Sequence, residues 1–165
     1  MTPQIVEEVL GKALVGKDCW YVACGGCTGS VIALYIGAAV PRSEPLNNKA
    51  HPLFVQYHNS EYRLMVWCPW RLVGSAGPIT GAGEPSTLDG PMVRGIARVE
   101  HQTIVGVRVD EFTLDLRVTF SSDLELTLFC DTTELSSVTS DWILFRPDGA
   151  PISSNRAAVR VGDTT

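Results

Sequence analysis

Cys19, Cys24 and Cys27 are spaced C-x4-C-x2-C, with Gly25 and Gly26 between the last two. Thiolates on a tight loop can wrap a metal centre, glycines let the backbone approach the sulfurs, and this is the spacing of plant-type ferredoxin ligands. Cys68 or Cys130 would supply a fourth ligand. Against that chemistry, Trp20-Tyr21-Val22-Ala23 between the first two cysteines reads as strand. Cys68 and Cys130 fall on apolar strand faces, where a free cysteine behaves as a small hydrophobe. The expectation is reduced structural thiols, with no metal and no cofactor; Cys19, Cys24 and Cys27 are the ligands if a metal is held. A dithiol pair at Cys24 and Cys27 stays open, although no βαβ pattern of the thioredoxin kind surrounds it.

Trp67-Cys68-Pro69-Trp70-Arg71 places two indoles, a proline and a guanidinium together. Trp and Arg anchor interfaces because they bury a large area and keep a polar handle. Trp67, Trp70 and Arg71 are therefore candidate binding residues, with core packing the competing role for the two indoles. His51, before Pro52, and His58, in a His58-Asn59-Ser60 turn, are further candidates. Neither has the helical i, i+4 spacing of a metal pair. No G-x-S-x-G, H-E-x-x-H, Walker or G-x-G-x-x-G motif occurs. Asp110, Glu111, Asp115 and Asp123 read as solvated strand-end carboxylates. No catalytic residue is assigned.

The elements that must position these residues are mainly β. Phe112, Leu114, Leu116, Val118 and Phe120 alternate with polar residues, and Leu124, Leu126, Leu128 and Cys130 resume the alternation after Ser121-Ser122-Asp123. That pattern predicts an antiparallel hairpin. Trp142 to Arg146 reads as another strand, ended by Pro147-Asp148-Gly149, and the polar tail after Ile152 as irregular. In the first half, Glu61 to Cys68 lies over Asp123 to Cys130 without a gap. Leu53, Val55 and Tyr57 match Leu116, Val118 and Phe120, and Trp70-Arg71-Leu72 matches Trp142-Ile143-Leu144. Upstream, Leu14-Val15-Gly16 matches Ile104-Val105-Gly106. The expectation is a single domain over residues 1–165, built from two pseudo-repeats at about 5–80 and 95–155. A Gly/Pro-rich loop, 74–95, joins them as a linker or a functional flap. Duplicated antiparallel units would pack as a sandwich, roll or barrel. At most one short helix is expected, at the N-terminus, with Thr2 capping, Pro3 at its first position and its end near Gly11.

Length and composition fit that picture. The chain has 165 residues, 45% hydrophobic and 19% charged, with a net charge of −5. A chain of this size buries a real core. The acidity disfavours phosphate backbones, so no nucleic-acid partner is expected. The apolar run from Val31 to Val40 is too short for a membrane helix. No basic segment followed by an apolar stretch opens the chain, so a cytoplasmic protein is expected.

The segment Tyr62 to Leu72, with its Cys68-Pro69-Trp70-Arg71 element, then Ile79-Thr80-Gly81, resembles part of a group of small uncharacterised bacterial proteins. It covers about a third of the chain. The resemblance implies a bacterial cytoplasmic origin and transfers no catalytic residue. The sequence thus points to a non-enzymatic binding or interaction protein, immunity-type or accessory, whose partner is another protein or a small molecule. The alternatives are a small-molecule site or enzyme in the cleft between the halves, and a Cys-ligated metal protein.

Overall fold

The computed structural model describes residues 2–131, 140–155 and 158–161. In chain order the elements are α1 (Pro3–Leu14), β1 (Asp18–Cys24), β2 (Ile32–Pro41), α2 (Leu53–Tyr57), β3 (His58–Val66), β4 (Trp70–Gly74), β5 (Gly77–Gly81), α3 (Pro91–Ile96), β6 (Gln102–Val109), β7 (Leu116–Phe120), β8 (Leu124–Leu128), β9 (Trp142–Phe145), β10 (Ile152–Asn155) and β11 (Ala158–Val161). The fold is mainly β, as the alternation predicts. The strands form one antiparallel sheet in the order β11-β10-β9-β3-β2-β1-β6-β7-β8-β4-β5. No helix among the described residues is long and apolar enough to cross a membrane.

Thr2 caps α1 through its hydroxyl, Pro3 opens the first turn, and Val6, Leu10, Ala13 and Leu14 are buried. The helix runs past Gly11 because Leu14 still has apolar neighbours to meet. The inner faces of β1 to β4 and β6 to β10 join α1 and α3 in one apolar cluster, which includes Ile32, Leu34, Leu64, Trp70, Leu116, Leu126, Trp142 and Ile152. A twisted sheet that shares one core across its length must curve around it. Trp70 ties the curve together: its indole N–H donates to the Ser30 carbonyl, ahead of β2, at 2.7 Å.

The two halves exchange strands. Strand β9 pairs with β3, placing Trp142 opposite Val66 and Leu144 opposite Leu64. Strand β4 pairs with β8, placing Trp70 opposite Leu128 and Leu72 opposite Leu126. Each half thus supplies an edge partner to the other's meander, and β1 meets β6 at Cys19–Gln102 in the middle of the sheet.

Several expectations need correction. There are three helices among the described residues, not one. Leu53, Val55 and Tyr57 do not form a strand like β7: they lie on α2, where only Val55 is buried while Leu53, Phe54 and Tyr57 are exposed. Pro52 accepts from the Gln56 amide and starts that single turn. Consequently His58 is not in a hairpin turn; it opens β3, which pairs with β2. Leu14 closes a helix whereas Ile104 lies in β6, so that match also fails. The glycine-rich stretch 74–95 is not loop throughout: 82–90 has no regular structure, but the segments either side of it do. It forms β5 and α3, with Pro91 in the helix's first turn. Strand β7 begins at Leu116, not Phe112, because the Asp110 carboxylate accepts from the Phe112 and Thr113 amides and folds 110–113 into a turn. Phe112 is accordingly 88% exposed. The tail after Ile152 is not irregular where described: β10 and β11 extend the sheet, and Ile152 and Ser154 are buried.

Candidate functional site

The outer face of β1, β2 and β3 carries a second apolar layer. Ala33, Tyr35 and Val55 are buried there, with Trp20, Tyr21, Ala23 and Met65 packed around them. A bulge at the start of β1 builds this layer. Cys19 pairs with Ile36 and Tyr21 with Tyr35, leaving Trp20 as an extra residue. Such an insertion re-aims side chains, and here Trp20 and Tyr21 both reach the Tyr35 ring, each at 5.3 Å between centroids. Strand β2 is apolar on both faces for the same reason: its inner residues meet the main core and its outer residues meet this layer.

Two segments rise over the outer face. One is 42–57, from β2 to α2. Arg42 Nε donates to the Val55 and His58 carbonyls, and Phe54 stacks on His58 at 4.1 Å and edges against Trp20 at 5.6 Å. The other is Cys24-Gly25-Gly26-Cys27, which leaves β1 in a 3-10 turn. Gly25 has φ +82, and a Cβ there would stand 2.9 Å from the Ser86 carbonyl oxygen. The Gly26 amide donates to that same oxygen at 2.7 Å. The glycines thus serve a close backbone approach to the β5–α3 connection, which brings Leu88 alongside.

Between these walls lies a cavity of about 410 Å³, lined among others by Tyr21, Cys24, Cys27, Tyr35, His51, Arg63, Met65 and Leu88. The Tyr21 hydroxyl lies 3.3 Å from Nδ1 of His51. Burial, then the charges of Tyr35 and Glu100, push Tyr21 up to about 12. Burial and then the Arg42 charge push His51 below its ordinary value. Burial and the Glu100 carboxylate raise the Cys24 thiol to about 11. Glu100 lies outside the lining, its carboxylate bound to the Val22 amide at 3.0 Å. At neutral pH the Tyr21 phenol, the His51 imidazole and the Cys24 thiol are therefore all uncharged.

The residues singled out from sequence do not converge. His51 lines this cavity. Trp70 and Arg71 line a separate groove of about 390 Å³ with Phe129, Ile79 and Glu84. Trp70 is buried there, and the exposed Arg71 lies 5.5 Å from the Phe129 ring centroid, opposite Gly81 of β5. Trp67 is 43% exposed and His58 caps α2; neither lines either space. The cysteines do not assemble as ligands. Cys19 and Cys24 stand at opposite ends of β1, about 16 Å apart at strand rise, and Cys19 is buried while Cys27 is exposed. Among the described residues no group of three potential metal ligands forms. Burial holds Cys19 and Cys130 up at about 12 and raises Cys68 as well.

Tyr21, Tyr35, Arg63 and Met65 went unnoticed in the sequence. The signal was present in β2, whose apolar residues occupy both faces of one strand. No family model matches the chain, and no match to it was found among curated proteins or solved structures.

Proposed function

We infer that this chain is a non-enzymatic binding protein whose recognition site is the cavity over β1, β2 and β3, and that its occupant is a small molecule. The observation that carries this reading is the makeup of the cavity. An aromatic and aliphatic floor is combined with a few placed polar groups, which is how ligand sites are built. A thiol raised to about 11 offers almost no thiolate at neutral pH, so Cys24 is a poor nucleophile there. The cavity lies on the first half's outer face, not in a cleft between the halves; only Leu88 comes from the connection between them.

The scaffold is read as an internal duplication, with α1-β1-β2-β3-β4-β5 answering α3-β6-β7-β8-β9-β10. Support comes from the reciprocal register: the Val66–Trp142 and Leu128–Trp70 pairs are counterparts under the same alignment that matches Cys68 with Cys130. On this reading, 42–57 has no partner in the second half, where β7 passes to β8 through a short turn. The unmatched segment is the one that walls the cavity. Superposing the two sets of strands should bring Trp70 onto Trp142; placement on opposite faces contradicts the duplication.

Two-dimensional amide NMR with a library of small aromatic and aliphatic compounds tests the binding site. The reading expects shifts concentrated at 21–28, 33–35, 48–51 and 63–65. Shifts concentrated at Trp70, Arg71 and Phe129 would move the site to the other groove, and no binder at all would contradict the reading.

A further inference from the structure

Arg63 is the one charged side chain in the cavity's lining, and no carboxylate accompanies it there. It lies on the outer face of β3, opposite Tyr35 on one side and Phe145 on the other. Its guanidinium carbon lies over the Phe145 ring, 4.8 Å from the centroid, within cation–π range. Its Nε is buried and has no hydrogen-bond partner. The guanidinium forms no ion pair among the described residues.

The neighbouring carboxylates are already engaged. Glu61, in the adjoining 300 Å³ cavity that Arg63 also lines, is held by Lys17 at 3.0 Å and by the Ala38 amide. Arg146 pairs with Asp148. Glu100 is bound to the Val22 amide. Arg42, outside the lining, donates Nε to backbone carbonyls; it too forms no ion pair among the described residues, and its buried Nη2 has no partner. A partly buried guanidinium lacking an anion, beside an apolar cavity lacking a carboxylate, is an unfilled half of a charge-assisted hydrogen-bonded pair.

Resting on the binding reading above, we propose that the ligand is a small monoanion with an apolar body, its carboxylate or equivalent oxyanion held by Arg63. The body lies on Tyr21, Tyr35 and Met65. The Cys24 thiol and the neutral His51 imidazole bring no negative charge to the same wall. The acidic group sits on the β3 side, where Phe145 braces the guanidinium.

Benzoate and its neutral isostere benzamide separate anion recognition from binding in the cavity. With the intact chain, calorimetric or NMR titration should give benzoate at least tenfold tighter binding than benzamide, with shifts at 21–28 and 33–35. Arg63→Gln should bring the two within about twofold. Arg71→Gln, in the other groove, should leave the preference intact. Equal binding of both compounds to the intact chain, or a preference that survives Arg63→Gln, overturns the anion assignment and leaves the cavity as a neutral binding site. Binding of neither compound overturns the anion assignment; the binding reading falls only if the compound library also yields no binder. If Arg63→Gln does not fold, Arg63→Lys keeps the charge but loses the planar fork. Benzoate should then weaken severalfold, and unchanged affinity overturns the assignment.

Discussion

Tyr21 of β1 and His51 of the 42–57 segment meet at 3.3 Å between the hydroxyl and Nδ1, with ring centroids 6.1 Å apart. Tyr21 is pushed far toward its protonated form and His51 toward its neutral form. The contact is therefore a hydrogen bond between a neutral phenol and a neutral imidazole, with the donor set by the imidazole tautomer. This contact joins the strand floor of the cavity to its loop wall.

The sign of the pH dependence follows. A histidine whose folded value lies below its unfolded value binds fewer protons in the folded state, so stability falls as pH drops through 6.5 and continues to fall until the folded value is passed. Urea unfolding of the intact chain should show a loss between pH 7 and pH 5 that His51→Gln lacks. Superimposable pH profiles for the two proteins would contradict the assigned protonation states.

Thiol reactivity should be strongly unequal. Cys27 is exposed, Cys24 is half-buried, and Cys19, Cys68 and Cys130 are buried. With a disulfide reagent at pH 8, the native protein should show one fast thiol, removed by Cys27→Ser. Cys24, raised to about 11, carries on the order of a thousandth of its population as thiolate at that pH and should react slowly. All five thiols should react after denaturation. A second fast thiol in the native state would contradict the burial of Cys24.

Trp70 and Arg71 are neighbours with opposite expected roles. Trp70→Phe removes the bond to the Ser30 carbonyl and part of a buried ring, and should cost about 1–3 kcal/mol of unfolding free energy. Arg71→Ala removes an exposed contact with Phe129 and should cost less than about 1 kcal/mol. Neither should alter benzoate binding. Equal destabilisation by the two substitutions would contradict their placement on opposite faces of β4.

The inner face of the fold was legible because strand side chains alternate. Leu116, Val118, Leu124, Leu126, Leu128, Leu64 and Val66 were readable as one buried stripe, and the positions are buried. Trp70 and Trp142 each open a strand and are buried. The exchange of β4 and β9 was not readable, since alternation gives a strand's faces and not its neighbour. Helix α2 was hidden because Leu53, Val55 and Tyr57 alternate like a strand; one turn after Pro52 has too few residues to display a helical period. The cavity was missed for a related reason. Its floor needs a bulge at Trp20, invisible to a period of two, and a guanidinium whose partners lie on strands distant in sequence. His51 was found by residue type alone, and Cys24 for a metal geometry the strand does not allow.

Ala23 of β1 lines the cavity beside Tyr21 and Cys24 and offers the most direct test of its function. A large side chain there occupies the space that a ligand would take, while the inner core lies on the other side of the sheet. Benzoate affinity of Ala23→Trp, measured calorimetrically after thermal unfolding has confirmed a cooperative transition, should fall at least tenfold relative to the intact chain. Full benzoate affinity in a folded Ala23→Trp protein would contradict the assignment of this cavity as the binding site.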